Sequence, residues 1–216
     1  MSAFGDLAFT AFGEHVKVAD MTGNLIGLAG LALGWRRSVL TWPAQLLAGA
    51  VLITAFLGGQ VPGLIGKQVI VIVAAVWGWT QWSRGRRDTG EVAVRFAGWG
   101  ERAVLVVATA AGTAAVAALF HAFPKLSWNP LLDAYIFVGT LAAMYAQARG
   151  WVEFWFAWLA VDLISVPYSY THGYVFSALT FSIYFVLVVA GLVSWWTKAR
   201  APRPAQSAPP AKGVTA

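Results

Sequence analysis

The distribution of apolar residues constrains this chain most, because they form seven long stretches separated by short polar segments. The chain is 59% hydrophobic and only 11% charged, whereas a soluble domain carries about 25% charged residues. A soluble core of this size cannot bury so much apolar surface, so the sequence predicts an all-α integral membrane protein. A spanning helix needs about 20 apolar residues. We expect seven transmembrane helices at 20–35, 39–58, 64–83, 103–122, 131–148, 151–170 and 173–196.

The two ends of the chain lack this apolar character. Residues 4–17, within an N-terminal segment 1–19, mix polar and apolar types and predict a short surface helix. Residues 198–216 predict a disordered cytoplasmic tail, since 201–216 holds four Pro among small polar residues.

The basic residues predict the orientation of the chain in the membrane. With the N-terminus outside, 12 of the 15 Lys and Arg fall in cytoplasmic segments, and only Lys17, Lys67 and Lys125 lie outside. The positive-inside rule therefore favours seven spans with the C-terminus in the cytoplasm. These cations stand at the ends of apolar runs and form no stripe with interleaved aromatic residues, so we expect lipid and not nucleic acid as their surroundings.

An internal repeat relates the first three stretches to the last three. A shift of 113 residues aligns 20–82 with 133–195 without a gap and gives 13 identities in 63 positions. The identities that composition does not explain are Asp20/Asp133, Arg36/Arg149, Trp42/Trp155, Gly78/Gly191 and Trp82/Trp195. The repeat divides the chain into a first unit 20–84, a linker 85–130 that holds the fourth helix, and a second unit 131–197. We expect a 3+1+3 parallel repeat, with the substrate near the midplane between the units.

One stripe of polar and aromatic residues points to a binding site. Asp162 lies inside the sixth stretch, where a carboxylate costs about 2.5–3.5 kcal/mol, so its presence suggests function. Trp151, Trp155, Trp158, Asp162 and Ser165 follow at helical spacing on one face. Indoles stack on planar heterocycles, and the polar groups fix their orientation. The alternative is an interfacial tryptophan belt, which we favour for Trp151.

The repeat makes this site asymmetric. Gln45 aligns with Trp158 and Gly49 with Asp162, so the first unit presents an amide and a small residue opposite a ring and a carboxylate. Gln81 is a further amide candidate, whereas its neighbours Trp79 and Trp82 are expected in a belt. Asp133 is expected to have a structural role. The predicted substrate-binding residues are Trp155, Trp158, Asp162, Ser165, Gln81, Gln45 and Trp42.

The sequence offers little support for catalysis. The three His are scattered, the chain has no Cys, and no GxxxxGK[ST] run is present, so we expect no metal, no cofactor and no enzyme activity.

Two motifs resemble the PnuC-type vitamin transporters: Trp155-x-x-Trp158-x-x-x-Asp162-x-x-Ser165-Val-Pro and Gly78-Trp79-x-Gln81-Trp82, together with Asp133-Ala-Tyr. The resemblance covers residues 18–198. It implies a bacterial inner-membrane protein with the seven-helix 3+1+3 fold of the SWEET sugar transporters, assembled as a homotrimer. It also implies facilitated diffusion of a vitamin that phosphorylation then traps. Trp155, Trp158 and Asp162 would contact the flat ring, with Gln81 as another polar contact.

The family divides by substrate into transporters of nicotinamide riboside, thiamine, deoxynucleosides or riboflavin. Many members have Asn where this chain has Asp162. The segments Asp20-Met-x-Gly-Asn-Leu-Ile-Gly, Gly34-Trp-Arg-Arg-Ser and Tyr145-Ala-Gln-Ala-Arg-Gly look closest to the actinobacterial riboflavin branch. A buried carboxylate suits cationic nicotinamide riboside or thiamine, whereas neutral riboflavin offers it only N–H or hydroxyl donors. Riboflavin is the expected substrate on the resemblance, with the other two vitamins and a proton-coupled mechanism as alternatives.

Overall fold

A computed structural model describes residues 7–11, 13–58, 62–89, 92–127, 129–171 and 175–201. Within these residues the chain forms a short hairpin followed by seven α-helices. The strands are β1 (Ala8–Ala11) and β2 (Glu14–Lys17). The helices are α1 (Val18–Trp35), α2 (Thr41–Gly58), α3 (Pro62–Thr89), α4 (Trp99–Ala122), α5 (Pro130–Ala148), α6 (Glu153–Thr171) and α7 (Val175–Arg200). A 3-10 turn, Pro124–Leu126, precedes α5.

The seven helices correspond to the seven predicted stretches. They are 18 to 28 residues long. Among the described residues, Trp99–Ala122, Pro130–Ala148 and Ala178–Arg200 are long and apolar enough to cross a membrane on length and composition alone, and Met21–Trp35 and Thr41–Thr54 are shorter apolar helices. Beyond the N-terminal hairpin, the regular structure in the described residues is therefore helical, and the composition is that of a membrane protein.

The surface helix expected at 4–17 is wrong for the part of this segment that the structure describes. Ala8–Ala11 pairs antiparallel with Glu14–Lys17, and Gly13 makes the turn at φ +81°. That backbone conformation favours glycine. The segment is too short to nucleate a helix in water, and pairing of its two strands buries Val16. At the other end, α7 continues to Arg200, so 198–200 of the expected disordered tail is helical; residues 202–216 lie outside the described residues.

The helices pack as two groups of three neighbours. Helix α2 lies between α1 and α3, and α6 lies between α5 and α7. The groups meet through α3 against α5 and α1 against α7, while α4 packs on α5. The first unit, residues 20–84, holds α1 to α3, and the second unit, residues 131–197, holds α5 to α7. Arg36, Arg37 and Arg149 follow α1 and α5, and Arg86 and Arg87 lie in the last turn of α3; we call this end of the molecule the basic end.

The repeat of 113 residues is visible in side-chain packing. Trp42 meets Trp82 edge-on at 5.5 Å between ring centroids and an angle of 87°, and Trp155 meets Trp195 at 5.7 Å and 85°. Gly78 lies against the Trp42 ring and Gly191 against the Trp155 ring, so that a Cβ at either glycine would overlap an indole. Trp82 and Trp195 also meet, with 6.3 Å between ring centroids. The four rings, 0% to 2% exposed, therefore form a continuous aromatic layer toward the basic end.

The same layer joins the two units. The indole Nε1 of Trp82 donates to the Gln147 carbonyl at 2.8 Å, and Nε1 of Trp195 donates to the Trp35 carbonyl at 3.1 Å. Each bond runs from the third helix of one unit to the end of the first helix of the other. The two units are therefore tied by matching bonds.

A segment before α4, residues 92–98, ties the α5–α6 turn to the start of α4. Arg95 N donates to the Gly150 carbonyl and Val152 N donates to the Arg95 carbonyl, both at 3.0 Å. The Arg95 guanidinium also donates to both oxygens of Glu101 at 2.7 Å, which raises the pKa of Arg95 above its ordinary value. Glu153 accepts from Ala97 N at 2.9 Å and from Arg102 Nε at 2.8 Å. We call residues 92–98 the strap.

Candidate substrate-binding site

A cavity of about 210 Å³ lies between the two units. Residues of α1, α2, α3, α5, α6 and α7 line it, so both units contribute to its wall. Ligand pockets bury their guest among apolar walls with a few convergent polar groups. This cavity has that character, and its polar or aromatic lining residues are Gln45, Gln68, Phe137, Thr140, Trp158 and Tyr184.

The structure brings two of the predicted site residues together at this cavity. Gln45 on α2 and Trp158 on α6 both line it, although they are 113 positions apart. They are the repeat-related pair that differs in chemistry, an amide in one unit and an indole in the other. The asymmetry expected from the sequence is therefore present in the cavity wall.

Trp42 and Trp155 lie elsewhere. Both are 0% exposed in the aromatic layer, and neither lines the cavity. Their Nε1 atoms are buried without a hydrogen-bond partner in the part of the chain that the structure describes. A buried N–H without a partner costs about 1–3 kcal/mol. Trp155 precedes the cavity residue Trp158 by about one helical turn and lies outside the cavity. The two indoles therefore do not enclose a ligand between them in this conformation.

Asp162 lies one turn beyond Trp158 and is 3% exposed. Its Oδ2 has no hydrogen-bond partner among the described residues, and the side chain does not line the cavity. Its repeat partner Gly49 does line the cavity and packs against Gln68 and Ile72. A buried carboxylate is paired or functional in most membrane proteins. The side chain of Ser165 lies outside the described residues.

Gln81 lies half-buried on α3 beside the aromatic layer and does not line the cavity. Of the tryptophans expected in an interfacial belt, Trp79 is 40% exposed and fits that expectation. Trp82 and Trp151 do not, since both are only 2% exposed. Trp82 is held by its bond to Gln147, and Trp151 packs edge-on against Tyr145 with Arg95 over its face at 5.4 Å.

Asp133 has the structural role expected for it. Its Oδ2 accepts a hydrogen bond from the Ser127 hydroxyl just before α5, and Asn129 caps the helix. These contacts fix the start of α5 and place no carboxylate in the cavity.

Sequence reasoning missed Gln68, Thr140 and Tyr184 in the cavity wall and Gln147 behind it. A signal was available in the repeat. Thr140 aligns with Gly27, which has no side chain, and Tyr184 aligns with the apolar Val71. Each is therefore a polar residue with no polar counterpart in the other unit. The same asymmetry pointed to Gln45 and Trp158. Unmatched polar residues therefore point to Gln45, Thr140 and Tyr184 in the cavity wall, although Asp162, which is unmatched by Gly49, does not line it.

Two larger grooves lie where α4 meets its neighbours, with volumes of about 800 and 570 Å³. Their walls are mostly apolar, and in the larger one Arg102 and Glu153 pair with each other at 2.8 Å. Helix α4 is also the least buried of the apolar helices, with Val104, Val106 and Val107 65% to 69% exposed. In a membrane protein such a surface suits lipid, so the smaller cavity between the units is the better candidate site.

A comparison with protein families identifies the chain. The family described as nicotinamide mononucleotide transporter matches residues 17–197. The chain belongs to this family. The resemblance to PnuC-type transporters is thereby confirmed, and the members of the family are named as transporters, not enzymes.

Two known proteins extend the comparison within the nicotinamide mononucleotide transporter family. The riboflavin/roseoflavin transporter RibM of Streptomyces davaonensis is 54% identical over 195 residues, which cover 89% of this chain and 91% of that protein. The crystal structure of the vitamin B3 transporter PnuC matches with a TM-score of 0.67 over 84% of this chain and 81% of that chain, at 15% identity. The second likeness establishes the fold, that of a helical membrane protein.

Proposed function

We propose that this protein carries riboflavin into a bacterial cell by facilitated diffusion across the inner membrane, with intracellular phosphorylation trapping the vitamin. The observation that carries the proposal is the 54% identity to a riboflavin/roseoflavin transporter over 89% of the chain. The chain holds no nucleotide-binding motif that would drive transport directly.

The proposed topology has seven spans in a 3+1+3 parallel repeat, with the N-terminus outside and the basic end in the cytoplasm. The matching Trp42–Trp82 and Trp155–Trp195 pairs support two equivalent three-helix units, with α4 as the linker. The positive-inside rule supports the orientation, because the strap and the α1–α2 and α5–α6 turns carry the arginines. A homotrimer is proposed on the family resemblance.

In the proposed site, Trp158 stacks on the isoalloxazine ring and Gln45 hydrogen-bonds its edge. Asp162, with Ser165 one turn beyond, supplies polar contacts next to Trp158. The cavity of about 210 Å³ is below the roughly 300–1,000 Å³ of ligand pockets, so flavin entry requires helix movement. Trp42, Trp155 and Gln81 lie toward the basic end and would meet the ligand on its way to the cytoplasm.

Flavin fluorescence tests the substrate and the site together. Riboflavin fluorescence should be quenched on binding to the purified protein, because stacking on Trp158 brings an indole face onto the flavin. Trp158→Ala should remove most of the quenching and weaken binding about tenfold or more. Trp79→Ala is the matched control, since Trp79 is 40% exposed and does not line the cavity, and it should bind as the wild type does. Quenching that survives Trp158→Ala unchanged would place the flavin elsewhere.

A second substrate is favoured by one observation. The buried Asp162 Oδ2, without a partner among the described residues, suits a cationic ligand such as nicotinamide riboside or thiamine better than neutral riboflavin. Competition decides between them: displacement of bound riboflavin only by excess flavin supports the first proposal, and preferential binding of nicotinamide riboside supports the second. A proton-coupled carrier is distinguished by uptake into proteoliposomes, which a protonophore would inhibit.

A further inference from the structure

A chain of hydrogen bonds connects the cavity wall to the backbone of α1. The Thr41 hydroxyl donates to the Gly30 carbonyl at 2.7 Å. Gln147 Nε2 donates to Thr41 Oγ1 at 3.4 Å, and Gln147 Oε1 accepts from Gln45 Nε2 at 3.2 Å. Thr41 and Gln147 are 0% and 1% exposed, so water does not compete for these bonds. The chain crosses from the first unit to the second and back, and it ends at Gln45 in the cavity wall.

The direction of each bond follows from the one before it. A carbonyl only accepts, so the Thr41 proton goes to Gly30, and the Thr41 oxygen is left as an acceptor. Gln147 must then turn its NH₂ group to Thr41 and its oxygen to Gln45. Gln45 in turn must present its NH₂ group to Gln147. An amide orientation is ordinarily assigned from its hydrogen-bond network, and here the network starts from a group with a fixed role.

The side-chain oxygen of Gln45, Oε1, is the atom of this amide that the network leaves for a ligand. Its Nε2 carries two protons, of which one goes to Gln147 and the other to Thr41 Oγ1 at 3.5 Å. Since Gln45 lines the cavity, a ligand meets the acceptor Oε1 as its unused polar atom.

Two hydroxyls in the same wall are also committed as donors. Thr140 gives its proton to the Ile136 carbonyl at 2.7 Å, and Tyr184 gives its proton to the Asn24 carbonyl at 2.9 Å. Gln68 is the remaining amide in the lining, and with no hydrogen bond to the described residues it keeps its two donors and its acceptor. Because Thr140 donates within its own helix, its oxygen joins Gln45 Oε1 as an acceptor in the cavity wall.

We propose that Gln147 and Thr41 are positioning residues that hold Gln45 as a hydrogen-bond acceptor, so that the site selects ligands that donate an N–H at this position. This inference rests on the proposed function. In riboflavin the matching group is the imide N3–H of the isoalloxazine ring, flanked by two carbonyls. A ligand with a methyl group at N3 would leave the Gln45 oxygen unpaired and crowded.

The test compares riboflavin with N3-methylriboflavin on the purified wild-type protein, using flavin fluorescence or calorimetry. N3-methylriboflavin should bind about tenfold or more weakly, since a buried acceptor without its donor costs about 1–3 kcal/mol. Roseoflavin is the control ligand, because its modification lies at the opposite end of the ring and its N3–H is intact; it should bind within about threefold of riboflavin. Equal binding of riboflavin and N3-methylriboflavin overturns the inference and leaves the proposed function in place.

Variants then separate positioning from simple contact. Gln147→Met keeps the side-chain length and removes the fixed partner, so Gln45 can turn over and the preference for riboflavin over N3-methylriboflavin should fall to about twofold. Thr41→Val, which keeps the shape of the side chain, should lower the same ratio if Gln147→Met does not fold. Thr109→Val, the matched control for Thr41→Val, removes a hydroxyl on α4 that bonds the Leu105 carbonyl outside the cavity, and it should keep the wild-type ratio. A ratio unchanged in both Gln147→Met and Thr41→Val contradicts the positioning role.

Failure of riboflavin to bind the wild type is a separate result and contradicts the proposed function. The acceptor assignment is then tested with nicotinamide riboside and its N,N-dimethylamide, which lacks the amide N–H. A preference for the primary amide of about tenfold supports the assignment, and equal binding overturns it.

Discussion

The first and second units agree where each holds its own helices together and differ where they face the cavity. The turns that open α2 and α6 are alike in detail: Arg37 and Gly150, 113 positions apart, both have a left-handed backbone, at φ +59° and +68°. The backbone bonds from Arg37 N to Gly34 and from Gly150 N to Gln147 are both 2.9 Å long. In the cavity wall, by contrast, the amide Gln45 stands opposite the indole Trp158.

The difference separates two requirements on the same fold. Two equivalent units need the same ring packing, because the chain reverses direction at the basic end in both, between α1 and α2 and between α5 and α6. A single asymmetric ligand needs different groups on its two sides. Glycine and tryptophan identities in the repeat therefore indicate packing, and mismatched polar residues indicate the site. Each of the predictions below tests one side of this comparison.

The largest effect is expected where a glycine lies against a buried indole. Gly78→Ala and Gly191→Ala each place a Cβ within the ring of Trp42 or Trp155, which is 0% exposed and has no room to move. We expect each change to lower the free energy of unfolding by about 3 kcal/mol, at the upper end of overpacking costs. Denaturation in SDS, or loss of the monodisperse peak after heating in detergent, measures the change.

Gly100→Ala is the control for these changes, because nothing lies within 4 Å of its added Cβ. It should be neutral or slightly stabilising, since alanine favours a helix by up to about 1 kcal/mol over glycine. A loss in only one of Gly78→Ala and Gly191→Ala would show that the two units do not depend on this packing equally.

A smaller effect is expected at the two left-handed turns, where the units differ. Gly150→Ala adds a Cβ that overlaps the Ala93 carbonyl of the strap, in a conformation already unfavourable for alanine, and should cost about 2 kcal/mol. Arg37→Gly relieves the same backbone strain but loses the 3.4 Å bond from Arg37 Nη1 to the Val92 carbonyl, so it should change stability by less than about 1 kcal/mol. Denaturation in SDS and heating in detergent measure both variants. Equal losses of stability in Gly150→Ala and Arg37→Gly would mean that contact with the strap does not make the two turns differ.

Much of the fold follows from the sequence because membrane solvation leaves few alternatives. Apolar length predicted all seven helices, and the cationic turns fell between them. The short N-terminal segment was not predicted, because residues 8–17 lack a strong periodicity and their hairpin depends on the turn at Gly13. The residue pattern within one short strand does not predict its conformation when the hydrogen bonds come from pairing with another strand.

The candidate site was predictable only in part. The repeat identified Gln45 and Trp158 because they differ in chemistry at one aligned position. Helical spacing put Trp155 on the same face as Trp158, but spacing does not say that Trp155 lies against Gly191 in a packed layer. Gln147 was invisible as a contributor, since its effect on Gln45 depends on a contact between residues 102 positions apart.

The smallest effect is expected from the two bonds that join the units through the aromatic layer. Trp82→Phe and Trp195→Phe each remove a donor to a carbonyl of the opposite unit. Trp42→Phe and Trp155→Phe lose the same ring atoms, but their Nε1 atoms have no hydrogen-bond partner among the described residues. Each bonded tryptophan should therefore cost about 1 kcal/mol more than the unbonded tryptophan beside it, the net value of a hydrogen bond. If the four variants lose stability equally, ring packing alone joins the units, and the matching bonds between Trp82 and Gln147 and between Trp195 and Trp35 add nothing to it.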